Sequence, residues 1–556
     1  MKKLLLLIIV SLIAGSCRYK PFVKYYFPNK KEGFPRFSKL DYLQGETNNL
    51  RAYDITTYDW YVKVDPEKER IAGLMTIEFE MEMQQDSILI DLHSKLKVDN
   101  IESSFPIKNW KHRKDLLYIV YSEPVEKGVT GSINIAYHGK PANISNEGPI
   151  QWRSDSNDNP WISTQTEGIG AHYMMPCKEL LYDEPEQCFI RVEVPGSLVV
   201  VANGTLDSVT TKGENRVYHH SVLNPINIYN ISFNIGDYEK ITFPYTDING
   251  EEQEIQVFAL SHQIDTARSF YSQAPLHVKE LEKLYGSFPW WRDGCKIVQT
   301  TLGGSAMEHQ SAISMGSYFY NDYAPPKYSL KVNTTLIHEL AHEWWGNLLT
   351  GNDYCDMWLH EGFATYAEAL VIEQLYQPNY YGHYMWLLSL NVANERAILK
   401  PCGVRYNSWV SPKDGDIYYK GALLLHTLRM QIGDDEAFFS ILKGALTTFA
   451  KQNITTGTFI NYFNEMSKKD YSPLFEVYLK EKSPPVLLYS YDSTQSILSF
   501  KWKTGFPDNF PFKVVATLSN DKIALTPTNS LQQIEMKSMP IFNIGDFGYV
   551  LTEELE

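Results

Sequence analysis

His338-Glu339-Leu340-Ala341-His342-Glu343-Trp344-Trp345-Gly346-Asn347 is the stretch from which the rest of the chain can be read. Asn333 is a suitable N-cap before it and Gly346-Asn347 a suitable stop after it, so the pattern predicts a helix from Asn333 to Trp345. At about 3.6 residues per turn, His338 and His342 stack on one face, and both imidazoles can reach one ion while Glu339 projects beside it. Leu336, Ile337, Leu340, Ala341, Trp344 and Trp345 surround the pair. Two histidines and a glutamate in apolar surroundings are costly without a partner, and a metal ion supplies one. A tetrahedral zinc site needs a third protein ligand and keeps its fourth position open when it is catalytic. Glu361 begins the next predicted helix, which runs to Tyr376 and is closed by Pro378. It is the candidate third ligand, giving one zinc ion per chain.

Outward from this centre the patterns change. Helical periodicity also covers Ala267 to Tyr285 and Ala422 to Ile432, so the middle of the chain reads as a mainly α domain. From about Arg51 to Ile241 the text is short alternating or β-branched runs, among them Trp60–Val64, Met75–Phe79, Ile133–Tyr137 and Phe189–Val194. Such spacing predicts an antiparallel β domain of saddle or sandwich type. Alternation returns after Pro484-Pro485, as in Ile497–Trp502 and Phe512–Val515, and predicts a small C-terminal β domain that packs on its neighbour. The expected fold is therefore multidomain α+β. Its expected divisions are 1–17, 18–242, 243–484 and 485–556.

The first segment is a leader rather than structure. Lys2-Lys3 precedes an apolar stretch from Leu4 to Ala14, then Gly15-Ser16-Cys17. It is too short for the roughly 20 residues that span a bilayer and resembles a bacterial lipoprotein signal, cut before Cys17 so that the thiol takes a lipid. The expected location is the bacterial envelope membrane, and Arg18-Tyr19-Lys20 favours the periplasmic side. With Cys17 lipidated, five cysteines remain. In an exported compartment Cys177 and Cys188 could pair, although buried free thiols fit a chain of this size equally well.

A net charge of -15 argues against a nucleic-acid partner, since such binding draws its affinity from clustered Lys and Arg. Hydrophobic residues make up 44% of the 556 positions, enough for substantial cores.

Four stretches together resemble the aminopeptidase N and leukotriene-A hydrolase family of gluzincin metallopeptidases. His338–Asn347 resembles its zinc helix, and Trp358-Leu359-His360-Glu361-Gly362-Phe363-Ala364 its third-ligand helix. Ala306-Met307-Glu308-His309 resembles its exopeptidase motif Gly-x-Met-Glu-Asn, and Tyr418-Tyr419-Lys420-Gly421 its Tyr-x-Lys-Gly signature. Thr164-Gln165-Thr166-Glu167, then Pro176-Cys177 and Asp183-Glu184-Pro185, are similar to the motif on its N-terminal β domain. The resemblance covers about residues 50 to 550 and implies a thermolysin-like catalytic domain.

It also implies roles. His338, His342 and Glu361 would hold zinc, Glu339 would shuttle the proton as base then acid, and Tyr418 would donate to the developing oxyanion. Glu308 and Glu167 would anchor a peptide's terminal ammonium, helped by Gln165, with Ala306 and Met307 lining the substrate strand. The implied activity is removal of the first residue of a peptide with a free N-terminus. Two alternatives are a thermolysin-type endopeptidase, against which Glu308 and Glu167 argue, and an exported binding lipoprotein without chemistry, against which the intact catalytic set argues. The chain departs from the family at Ser305 (usually Gly), His309 (usually Asn) and His360 (usually Asn). A side chain at 305 could narrow the substrate strand.

Overall fold

The computed structural model describes residues 49–143, 148–319, 332–376, 378–400, 402, 415–504, 506–508, 510–519 and 521–555. Cys17 and the leader lie outside these residues. Among those described, no helix is long and apolar enough to cross a membrane.

The N-terminal unit is β throughout, as the alternation predicts. A seven-stranded sheet runs in the order Thr205–Lys212, Asn215–Val222, Gln187–Pro195, Tyr53–Asp65, Arg70–Met81, Thr130–Gly139, Leu96–Ser103. Period-2 burial explains it: along Arg70–Met81 the residues Ile71, Met75, Ile77, Phe79 and Met81 face the core. One pair is parallel, Tyr53–Asp65 against Gln187–Pro195 with Trp60 opposite Ile190, because the chain returns only after a long excursion through other strands. A second sheet orders Val199–Ala202, Phe233–Gly236, Pro160–Thr164 and Ile150–Ser154. The strand ending at Thr164 delivers Gln165 and Glu167 immediately after it.

The middle unit has more sheet than its helical text suggests. Five strands, Tyr238–Thr246, Glu252–Leu260, Cys295–Gln299, Ala312–Met315 and Ala306–Met307, form a mixed sheet in that spatial order. The expected division after residue 242 falls inside its first strand. Ala306–Met307 is the edge strand, and Glu308 follows it. The helices are α1 (Ile264–Phe270), α2 (Ala274–Tyr285), α3 (Thr334–Ala341), α4 (Trp358–Leu375), α5 (Pro378–Ser389), α6 (Tyr419–Ile432), α7 (Asp435–Thr448), α8 (Thr456–Ser467) and α9 (Ser472–Lys480).

The stretch 267–285, read as one helix, is two. A 3-10 turn at Tyr271–Gln273 intervenes, and Pro275, which has no N–H to donate, sits in the first turn of α2. Pro378 opens α5 rather than merely ending α4. Helices α5 and α7 to α9 were not expected. Caps and periodicity both mark α7 to α9: Asp434 accepts from Ala437 N and Thr455 from Thr458 N, Pro473 sits in the first turn of α9, and Phe438, Ile441, Leu442 and Ala445 bury one face of α7.

The C-terminal unit is a pair of small sheets, of four and three strands, between Val486 and Glu554. Its apolar side chains Trp502, Phe512 and Phe547 belong to one continuous core with Leu428 and Trp358 of the helical unit. Gln431 Nε2 donates to the carbonyls of Lys513 and Phe547 across that seam.

The cysteines settle the alternative that the sequence left open. Cys177 and Cys188 are not joined: both are buried free thiols, the first bridged to the strand Gln85–Asp91 and the second in the seven-stranded sheet. The disulfide is Cys355–Cys402, which closes a 47-residue separation around α4 and α5.

Candidate metal centre and cleft

Asn333 caps α3 as expected, its side chain accepting from Leu336 N at 3.0 Å. The helix ends at Ala341 rather than Trp345, but His342 keeps helical geometry and its N–H still donates to His338 O at 3.2 Å. The i, i+4 stacking therefore holds, with ring centroids 4.7 Å apart. Glu361 lies in the first turn of α4, which starts three residues earlier than expected. α4 folds back against α3, and Glu361 Oε2 lies 3.2 Å from His338 Nε2 and 3.4 Å from His342 Nε2.

Both imidazoles are oriented by their other nitrogen. His338 Nδ1 meets Glu368 Oε1 at 2.8 Å, and His342 Nδ1 meets the Trp345 carbonyl at 2.9 Å. Each ring so held turns Nε2 toward Glu361, the arrangement in which metal-ligating histidines are held by an outer hydrogen bond. Tyr384 on α5 donates to the other oxygen of Glu368. Burial works against charge on His338, yet Glu361 and Glu368 raise its pKa well above 6.5. Burial likewise works against ionised Glu361, but the two imidazoles hold it well below the usual carboxylate range. The cluster thus favours positive charge at the point where three ligand atoms converge within 4.8 Å of one another. Two nitrogens, each on a ring held by its orienting partner, and one carboxylate oxygen fit zinc.

Glu339 does not join the triad. Its Oε2 is buried without a hydrogen-bond partner, and burial pushes its carboxyl up to about 8, with Glu308 and Glu361 acting in the same direction against the two histidines. Tyr418 stacks on His338 with centroids 5.9 Å apart, and burial followed by Glu361 raises its phenol well above 10.

Its position depends on two glycines. Where α4 meets α6, Gly362 faces Gly421, and a Cβ on Gly421 would lie 2.9 Å from Gly362 Cα. Lys420 points the other way, buried, and donates to the carbonyls of Glu481 and Lys482 just past α9.

Gln165, Glu167, Ala306, Met307 and Glu308 line the same cleft, of about 890 Å3, as the triad, Glu339 and Tyr418. Gln165 Nε2 donates to Met307 Sδ at 3.4 Å, joining the N-terminal unit to the edge strand. Gln165 Oε1 and Glu167 Oε1 are buried without hydrogen-bond partners. Glu308 accepts from Tyr229 Oη at 3.0 Å, and Asn347 Nδ2 donates to the Glu308 carbonyl at 3.0 Å. Burial raises the pKa of both acids, that of Glu167 well above its usual value, and each lies near other carboxylates.

These acids sit where an arriving cation is stabilised. Of the three departures, only Ser305 lines the cleft. His309 is buried behind it with Nδ1 2.9 Å from Ser314 Oγ, and burial lowers its pKa to about 3. His360 is buried as well, its Nε2 accepting from Gly351 N at 2.7 Å.

Comparison with known families agrees with this geometry. Residues 282–478 match the peptidase family M1 domain, and residues 55–225 match the peptidase M1 N-terminal domain. The chain belongs to peptidase family M1. Among its M1 relatives, the probable aminopeptidase 1 of Sulfurisphaera tokodaii is 23% identical over 73% of this chain and 50% of the relative. Aminopeptidase B of Mus musculus is 24% identical over 74% and 64%, respectively. This M1 chain thus spans about half to two thirds of the length of these relatives. An M1 zinc metallopeptidase from Deinococcus radiodurans, solved with a Tyr-Ser-Ala substrate, shares the fold with a TM-score of 0.67 and 21% identity, covering 78% of this chain and 96% of that one.

Several members of the site carry no signal legible in the motifs alone. Glu368 could have been found, since it lies seven residues after Glu361 and so on the same face of α4. Tyr229 and Tyr384 could not. Each reaches the site from an element with no motif of its own.

Proposed function

We propose that this chain is a zinc-dependent aminopeptidase that hydrolyses the first peptide bond of peptides with a free N-terminus. The observation that carries the reading is the placement of two carboxylates, buried Glu308 and half-buried Glu167 with its Oε1 shielded from solvent, in the cleft beside the three metal-ligand candidates. Buried acids of raised pKa gain most from a cation, and a peptide's terminal ammonium is the cation that would place its first carbonyl over the metal centre.

His338, His342 and Glu361 would hold the ion. Bound zinc would supply Lewis-acid polarisation of the carbonyl and acidify attacking water from 15.7 toward about 7. Glu339, whose free oxygen faces no other partner, takes the water proton and returns it to the departing amine. Tyr418 donates to the carbonyl oxygen as negative charge develops there, a contribution on the order of 3 kcal/mol for one well-placed donor. Gln165 Oε1 offers the ammonium a neutral acceptor.

The test uses one tripeptide with a free and with an acetylated N-terminus. An aminopeptidase cuts only the first; equal cleavage of both would replace this reading with an endopeptidase.

We also propose that the enzyme is exported and held at the bacterial envelope membrane by lipid on Cys17, facing the periplasm. The leader pattern supports this, and the Cys355–Cys402 disulfide fits an oxidising compartment. Cys17→Ala should shift the protein from the membrane pellet to the soluble fraction, and an unchanged distribution would rule the anchor out.

A further inference from the structure

The cleft has a direction. Glu308, Glu339 and His342 form one group of converging ligand atoms. The opposite flank of the metal centre belongs to His338, whose Nδ1 is held by Glu368 and, at 3.5 Å, by Thr365 Oγ1. If the ammonium is gripped at Glu308 and Glu167, the reading proposed above and the one this inference rests on, the remainder of the peptide leaves past His338. The wall on that side is α5. Tyr384, Leu387, Leu388 and Asn391 face the cleft from α5 and the residues just after it, opposite Thr334 and Thr335 of α3.

Two properties of this wall decide what it accepts. The first is charge. Five carboxylates line the cleft, Glu167, Glu308, Glu339, Glu361 and Glu368, and among the described residues no Lys or Arg lines it. An acidic side chain entering on the α5 side meets Glu368 and finds no Lys or Arg among the described lining residues to pair with. The second is that Glu368, the carboxylate nearest the wall, already accepts from both His338 and Tyr384 and so has little to offer an incoming cation. What remains on α5 is the pair Leu387 and Leu388, the first part-buried and the second buried, both packed with the main apolar core.

We infer that α5 forms the subsite for the second residue of the peptide, and that it selects a branched or aromatic apolar side chain there and rejects an acidic one. Filling an apolar wall with one aliphatic side chain discriminates about 10- to 200-fold in kcat/KM. Charge repulsion adds to that for an acidic residue.

The measurement is kcat/KM for release of free alanine from Ala-Leu-Gly, Ala-Ser-Gly and Ala-Asp-Gly. The wild-type enzyme should rank them Leu, Ser, Asp, with Leu above Asp by a factor of about 100. Asn391→Lys, an exposed position on the same wall, should narrow the Leu-to-Asp ratio by tenfold or more, and Leu387→Lys should do so further while lowering Ala-Leu-Gly itself. The exposed site guards against misfolding of the part-buried one. A flat ranking in the wild type, or ratios unmoved by Asn391→Lys in a folded protein, would overturn the inference. Hydrolysis of alanyl-arylamide by the wild type separates the two levels: turnover with a flat tripeptide ranking sinks only this subsite, whereas no turnover on any free-amine substrate sinks the aminopeptidase reading.

Discussion

Gly421→Ala isolates the role of packing in placing Tyr418. The new Cβ would sit 2.9 Å from Gly362 Cα, about 0.5 Å inside the 3.4 Å at which ordinary van der Waals contact begins. Neither atom belongs to a rotatable side chain, so α4 and α6 must move apart by about that distance. Overpacking of this kind costs about 1–3 kcal/mol of stability. Glu361 rides on α4, and Tyr418 immediately precedes α6, so the separation opens the space between the proposed metal ligand and the proposed oxyanion donor. Misplacement near 1 Å can lower turnover about 100-fold, and half that shift should cost roughly 10-fold or more in kcat. The assay is steady-state hydrolysis of alanyl-arylamide beside zinc content and a urea unfolding curve. Gly382→Ala on α5 is the control, because nothing lies within 4 Å of its Cβ and it should be neutral or stabilising by about 0.5–1 kcal/mol. A Gly421→Ala enzyme with full kcat and unchanged stability would refute the reasoning.

Four further outcomes follow from the site and the core. Glu339→Gln should lower kcat by a factor of about 100 to 10,000 while zinc stays stoichiometric, read by turnover beside metal analysis. Glu368→Gln should weaken zinc about 10- to 100-fold by loosening His338, measured by competition with a chelator; unchanged affinity would argue against the orienting role of the His338–Glu368 contact. Tyr229→Phe removes a donor to buried Glu308, a bond worth about 1.5–3 kcal/mol, and should raise KM for alanyl-arylamide by about tenfold or more with zinc content unchanged.

His426 is a pH probe away from the cleft. Tyr381 Oη lies 2.7 Å from its Nδ1 and the Ile544 carbonyl 2.8 Å from its Nε2, and burial lowers its pKa to about 4. The folded value lies below the unfolded one, so its contribution is complete above pH 6.5 and is lost as pH falls toward 4, up to about 3 kcal/mol. His426→Gln should flatten the stability profile across that window, and an unchanged slope would discard the assignment.

How much of this was legible in the sequence differs by residue. The i, i+4 imidazole pair, its flanking glutamate and the Asn333 cap are local, because helical geometry relates residues a few positions apart whatever the rest of the chain does. The β character of the N-terminal unit is local for the same reason, written in period-2 burial. The need for a third ligand pointed to Glu361 and resemblance to family motifs to Tyr418, Glu308, Glu167 and Gln165, but no local rule could say where their side chains would meet. Local pattern also falls short where a distant partner decides: the helical text hid a five-stranded sheet, and the disulfide joins Cys355 and Cys402, a pair that no local spacing marks.

By itself, then, the sequence determined the ligand helix, the class of metal it suits and the alternation that builds the two β units. Only tertiary structure brought Glu361 to 3.2 Å from His338, set Tyr229 from the N-terminal half against Glu308, let Gly362 and Gly421 bring α4 and α6 close, and laid Tyr418 against the His338 ring. The reason is physical. Hydrogen-bond geometry along a helix or strand depends on neighbours in the chain, whereas contacts between elements depend on how apolar faces far apart in sequence bury one another.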